Sequence, residues 1–218
     1  MDWLKCVLNV LKESSTYPHR KRSLHSFACE LGQKLFVSEL GEITVDIAYG
    51  GDSFVVVDSE AIGIELKADK IASIGAKITK AANEKLTFSH PEQDWTHFSF
   101  CLFAGELVKT ATGFQAMSAV VIKPAKVDRS PTGTSISARM AILHARGIMS
   151  VGETFTGVSL IGSTFTGTIL RTCKVGEYDA IIPEISGRGW VTGTHQHMLD
   201  PSDPWPQGYR LSDTWPQE

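Results

Sequence analysis

Between residues 43 and 48 the side chains follow a period of two, and this pattern constrains the fold more than any other feature of the 218-residue chain. Ile43, Val45 and Ile47 alternate with Thr44, Asp46 and Ala48. Successive side chains of a strand point to opposite faces, so the run predicts a half-buried strand. Gly50-Gly51 supplies a turn, and Ser53-Phe54-Val55-Val56-Val57 reads as a second, buried strand. Together they predict a hairpin.

The pattern is strand-like from about Leu24 onward. The clearest interruption is Lys67 to Lys85, where Ile71, Ile74 and Ile78, continued by Ala81 and Ala82, share one face of a predicted helix. Phe98, Phe100 and Leu102 mark a further strand, and Met117 to Ile122 another. Ser135 to Arg146, rich in Ala, Met, Ile and Leu, reads as a helix that Gly147 ends as the residue after its C-cap. Short strands punctuated by glycine follow at 153–159, 164–171 and 178–185. From Gly187 the chain is dense in Trp, Pro, Asp and Gly and reads as an ordered irregular tail, with Trp190, Trp205 and Trp215 expected to pack. At the other end Trp3, Leu4, Val7, Leu8, Val10 and Leu11 have helical spacing that stops in Ser14-Ser15-Thr16-Tyr17-Pro18. Many strands with two or three helices make an α+β chain.

Composition narrows the function. The net charge is −3 with both signs scattered, and the one basic run, His19-Arg20-Lys21-Arg22, stands alone. A nucleic-acid partner needs a clustered basic face, so none is expected. No apolar run is long enough to span a bilayer, and no membrane partner is expected. The four cysteines, Cys6, Cys29, Cys101 and Cys173, are far apart and form no C-x-x-C pair. Free thiols and a cytoplasmic location are the expectation. His195-Gln196-His197 would point both rings to one face of a strand, but no third ligand is obvious beyond nearby Asp200 and Asp203, so no metal is expected. Gly50-Gly51-Asp52 lacks the Lys-Ser/Thr of a phosphate loop and is read as a turn.

Asp128-Arg129-Ser130-Pro131-Thr132-Gly133-Thr134 carries the chemistry. Pro124 and Pro131 stiffen the segment, and it leads into a helix. The first turn of a helix presents unpaired amides and the positive end of the macrodipole. Gly133 lets an anion approach those amides. Asp128 would repel a phosphate at the same mouth but hold an ammonium. A carboxylate and an ammonium together describe an amino acid. An ordinary N-cap is the competing reading: Thr132, Thr134 or Ser135 caps the helix, and Asp128 pairs with Arg129 or is solvated.

Val127 to Gly147 resembles the second active-site motif of the proline racemase family, which includes proline racemases, 4-hydroxyproline 2-epimerases and trans-3-hydroxy-L-proline dehydratases. Asp46 to Phe54 resembles its hairpin, Ala81-Ala82-Asn83-Glu84 and His90-Pro91-Glu92 its helix end and following loop, and Thr192 to Pro206 with Gly208 to Trp215 its tail. The resemblance runs from about residue 23 to the end. It implies a two-lobed fold of the proline racemase and diaminopimelate epimerase type, with strands wrapped around a central helix. In these terms residues 1–40 are a remnant of the first lobe with a non-matching start, 41–190 the second lobe, and 191–218 a tail returning toward the first. The first lobe is expected to be largely missing, by truncation at the N-terminus.

The family uses two facing residues at the α-carbon of an amino acid. Thr132 occupies the second position, where racemases and epimerases have Cys. Asp128 matches the aspartate at the ring nitrogen, and Gly133 and Thr134 match the carboxylate-binding amides. Ser135 stands where Gly is usual. A thiol can give or take a proton near neutral pH, whereas a threonine hydroxyl is a poor base. The resemblance therefore implies a one-base dehydration of trans-3-hydroxy-L-proline, without cofactor or metal. A proline racemase or 4-hydroxyproline epimerase-like protein is the alternative. The family's Met-Cys-Gly-His base motif is not in this sequence. Cys29 and Cys101 read as core residues, so a non-catalytic remnant or a half-enzyme needing a partner lobe is a further alternative. The expected partners are hydroxyproline or proline and, as a separate expectation, a second copy in a homodimer.

Overall fold

The computed structural model describes residues 5–8, 25–188, 193 and 195–208. The elements are β1 (Lys5–Leu8), β2 (Ser26–Val37), β3 (Gly41–Tyr49), β4 (Ser53–Asp58), α1 (Ala68–Lys85), β5 (Phe100–Ala104), β6 (Val108–Thr110), β7 (Gly113–Ile122), β8 (Lys126–Val127), α2 (Gly133–Ala145), β9 (Thr154–Val158), β10 (Thr164–Val175) and β11 (Tyr178–Arg188). Residues Met1–Arg188 form one compact unit and Gly189–Glu218 another.

The strands of the first unit form one mixed sheet. Its path runs β2-β3-β4-β5-β7-β9-β10-β11, and β11 pairs back onto β2 through Ala180↔Phe27 and Ile181↔Ser26. Eight strands thus close into a barrel. The β4–β5 and β7–β9 pairings are parallel and the others in this ring antiparallel. β1, β6 and β8 add to its margins. The predicted hairpin is β3–β4, with Val45 opposite Val57 and Ile47 opposite Val55. Register shifts interrupt β2 on either side of Glu30, and Phe27 before them joins the same core as Leu35 and Val37 after them.

Each central strand is buried on both faces, and a different helix covers each face. Val55 and Val57 of β4, with Cys101 and Phe103 of β5, join Ile71, Ile78 and Ala82 of α1. Their neighbours Phe54, Val56, Leu102 and Ala104 turn the other way, onto Ala138 and Ile142 of α2. The far side of α2 packs Ile136 and Met140 against Phe114, Phe155 and Ile169. Strands therefore surround α2, and its residues from Ser135 to Leu143 are all buried. A fully buried side chain of this size contributes roughly 1.5–3 kcal/mol. Arg146 ends the helix with an ion pair to buried Asp46 at 2.8 Å. Gly147 then takes φ +69°; its amide bonds to His144 O at 2.9 Å, and that of Ile148 to Leu143 O at 2.9 Å. This is the Schellman ending expected of a glycine after the C-cap.

One expectation fails at the N-terminus. Lys5–Leu8, which includes Val7 and Leu8 of the supposed helix, is a strand paired with Ile185–Arg188 of β11. Its backbone groups are satisfied by the sheet, which overrides a weak local propensity. Trp3, Leu4, Val10 and Leu11 lie outside the described residues. Trp190 and Trp215 do as well, and Trp205 is 58% exposed. Among the described residues no helix is long and apolar enough to cross a membrane.

Candidate functional site

The approach to α2 is built from its sheet. β8 folds back on β7, and the Asp128 amide donates to Val120 O at 2.9 Å. The Ser163 hydroxyl, between β9 and β10, reaches the Arg129 carbonyl at 3.4 Å. The hairpin tip at Gly50-Gly51-Asp52 does more than turn the chain. A Cβ at position 50 would run into the Thr134 carbonyl and lie 2.5 Å from the Ala138 amide nitrogen, so glycine allows the hairpin to lie directly on the first turns of α2.

Within the loop, Asp128 collects three donors. Its Oδ1 accepts the Ser130 amide at 2.9 Å, and its Oδ2 accepts the Ser130 hydroxyl at 3.1 Å and the Thr132 hydroxyl at 2.5 Å. Ser130 Oγ in turn accepts the Thr132 amide at 3.1 Å. Aspartate and serine readily bond to backbone two residues onward, and the Asp-x-Ser-x-Thr spacing links two such turns in series. The bonds hold Thr132 at φ +58°, ψ 109°. A β-branched residue at positive φ stores on the order of 1–3 kcal/mol of strain.

Helical bonding in α2 begins with the Ile136 amide on Thr132 O at 3.1 Å. No side chain caps the helix, and its first turn carries no acidic residue. Among the described residues nothing accepts from the amides of Gly133, Thr134 and Ser135. The N-cap reading therefore fails. Thr132 spends its hydroxyl on Asp128. Ser135 turns its hydroxyl back to the carbonyls of Pro131 and Thr132, at 2.8 and 2.9 Å. Asp128 is engaged by Ser130 and Thr132, not by Arg129. A Cβ at Gly133 would meet only Ile185 Cγ2, at 3.9 Å, so the described residues leave room beside its Cα. The mouth thus sets a helix end with unpaired amides beside a fixed carboxylate.

The structure brings Asp128, Thr132, Gly133 and Thr134 together in this one loop and helix start. Cys29 and Cys101 are not part of it as ionised groups. Burial pushes the Cys101 thiol far above its ordinary range. Burial, with the Glu30 carboxylate, pushes Cys29 up to about 12. A thiol so placed is not a base near neutral pH. His195 and His197 are exposed, with rings 6.3 Å apart, in a stretch that is not a strand. Asp200 is used by Ser202, and Asp203 by the Trp205 amide. Among the described residues no three His, Cys, Asp or Glu side chains gather as metal ligands. Sequence reasoning missed the role of Ser130 and read Ser135 as a possible cap; the alternation of short hydroxyl and carboxyl side chains in 128–135 was the available signal.

Comparison with known proteins gives the family and the fold. Residues 11–210 match the family model described as proline racemase, a match that begins ahead of residue 23, where the motif resemblance starts. The fold is similar to a probable proline racemase from Agrobacterium radiobacter with bound carbonate, at 34% identity, TM-score 0.72, over 88% of this chain and 56% of that one. It is also similar to a hydroxyproline epimerase from Agrobacterium vitis with bound trans-4-hydroxy-L-proline, at 33% identity, TM-score 0.71, over 88% of this chain and 55% of that one. The chain therefore spans little more than half the length of these structures.

Proposed function

The chain belongs to the proline racemase family, and on that premise we propose that the α2 mouth binds a five-membered-ring imino acid, in the manner of a trans-3-hydroxy-L-proline dehydratase half-site. The observation that carries the reading is the pairing of three unengaged amides at Gly133, Thr134 and Ser135 with the fixed Asp128 carboxylate. The substrate carboxylate sits on the amides, and Asp128 takes the ring ammonium. Thr132 stands at the α-carbon.

The residue type at 132 favours dehydration. Racemisation needs two groups able to exchange protons on opposite faces, and a hydroxyl already donating to a carboxylate is a poor base. Dehydration needs one base. The Cα–H bond breaks, its electron pair forms the C2=C3 double bond, and hydroxide leaves C3 with a proton as water. The resulting enamine tautomerises to a pyrroline-2-carboxylate. The base is not Cys29 or Cys101, whose thiols stay protonated. In this reading the base comes from a second half-site, and a chain acting with a partner lobe is part of the proposal. The likeness to a hydroxyproline epimerase favours a second reading, epimerisation at Cα.

The test is pyrroline-2-carboxylate formation from trans-3-hydroxy-L-proline, run beside deuterium exchange at Cα of trans-4-hydroxy-L-proline in heavy water. Product that disappears in Thr132→Ala supports the dehydratase. Exchange without dehydration supports the epimerase. Binding of both imino acids without turnover leaves the half-site alone. Absence of binding sinks all three.

A further inference from the structure

We infer that Ser130 is a positioning residue, which with the Thr132 hydroxyl fixes Asp128 as a receptor for a substrate ammonium. The inference rests on the imino-acid reading above and deepens it. Ser130 bonds to Asp128 twice, amide to Oδ1 at 2.9 Å and hydroxyl to Oδ2 at 3.1 Å. Two bonds from one residue, one to each oxygen, fix the plane of the carboxylate as well as its position. The Ser130 hydroxyl also accepts the Thr132 amide at 3.1 Å, so a single oxygen ties the carboxylate to the residue that opens α2.

The ring of bonds has a chemical consequence. A carboxylate has about four acceptor directions and three are filled here. What remains is a single open direction, which suits one ammonium proton and gives no room for a bidentate guanidinium. The Thr132 hydroxyl proton points to Asp128, so its work is to hold that acceptor rather than to give or take the α-proton. Where a cysteine occupies this position, the weaker S–H donor would leave both the thiol and Asp128 freer. The hydroxyl therefore exchanges reactivity at position 132 for rigidity at position 128, and the strained backbone at Thr132 is what aims it.

The distinguishing feature is that Ser130 acts on the ammonium and not on the carboxylate of the ligand. The experiment titrates the 218-residue chain with L-proline and with (S)-tetrahydrofuran-2-carboxylate, which has the same ring and carboxylate but no positive charge, and reads both affinities by NMR. In the wild type, proline binds more tightly than the ether acid. In Ser130→Ala proline weakens about tenfold, the effect of removing one bond to a charged group, while the ether acid changes by less than about twofold. Ser130→Thr keeps the hydroxyl and restores proline binding. Ser130→Gly, a second variant should Ala not fold, gives the same split. An equal loss of both ligands, no loss of either, or failure of Ser130→Thr to rescue overturns the positioning role. A wild type that binds the two equally overturns the ammonium reading itself, and one that binds the ether acid alone overturns the imino-acid reading while leaving an anion site. Binding of neither ligand overturns both.

Discussion

The two helices lie on opposite faces of the same strands, yet they are built for different ends. α1 is amphipathic: Ile71, Gly75, Ile78, Ala81 and Ala82 face the sheet. Its first turn carries Asp69, its last Lys85, and its start is exposed. Each end thus meets the dipole with an opposing charge, and water reaches the unpaired amides. α2 is buried all round, has no acid in its first turn, and directs the nearest hydroxyls to Asp128 and to loop carbonyls. A helix end compensated from within is architecture. One left uncompensated and half-buried is available to an anion from outside.

The largest effects should come from the way each helix meets the barrel. A methyl at Gly50 collides with the backbone of α2, which cannot rotate away, whereas a methyl at Gly75 of α1 meets side chains, Val121 Cβ at 2.6 Å and Phe103 Cε2 at 3.0 Å. Gly50→Ala should cost roughly 3 kcal/mol or more and Gly75→Ala about 1–2 kcal/mol, read as midpoints in urea. Equal costs would mean that α2 is no more rigidly seated than α1. Next in size is the open helix end. Thr134→Asp places a carboxylate where the ligand's should sit, so proline affinity should fall at least tenfold, roughly 1.4 kcal/mol, while the fold gains a few tenths of a kcal/mol. Loss of both binding and stability would point to damage rather than competition.

The α1 side of the core also holds a buried histidine. His90 is 5% exposed, with its ring edge-on to Tyr49 at 4.6 Å and Phe27 at 5.3 Å, and its Nδ1 accepts the Glu92 amide at 3.1 Å. Burial, opposed by Glu92 and reinforced by His25, holds it below the ordinary 6.5. The unfolded chain therefore takes up this proton at higher pH than the folded one. His90 leaves stability unchanged above the ordinary value, and stability falls as the pH drops through it toward the lowered folded value. Urea midpoints between pH 7 and 5 should show that slope, reduced in His90→Phe. An unchanged slope would assign the acid sensitivity elsewhere.

The contrast between the helices was half legible in the sequence. Period-two alternation marked β3, the apolar run after Gly50-Gly51 marked β4, and the 3.6-residue spacing marked α1, because these patterns are local. The body of α2 was legible from its composition, but the structure starts it at Gly133, not Ser135. The parallel β4–β5 and β7–β9 pairings and the closure of β11 on β2 join residues far apart in the chain, which no local pattern encodes. Asp128, Thr132, Gly133 and Thr134 stood out through the motif. Ser130 did not, because its role lies in which oxygen of Asp128 it reaches, and a sequence pattern does not record that.

The smallest effect tests the comparison at its other term. Asp69 sits exposed in the first turn of α1, so its carboxylate interacts with the helix dipole through water and salt. Asp69→Asn should cost only about 0.3–1 kcal/mol, a loss in Tm of roughly 1–4 °C for a chain of this size. The loss should shrink as salt rises from about 0.01 to 1 M, because the screening length falls from about 30 to 3 Å. Proline binding should not change, since α1 has no part in the mouth. A salt-independent loss would mean that Asp69 acts by a fixed contact instead of by charge. A loss of proline binding would mean that the two helix ends are coupled through the strands between them, and α1 could then no longer be regarded as architecture alone.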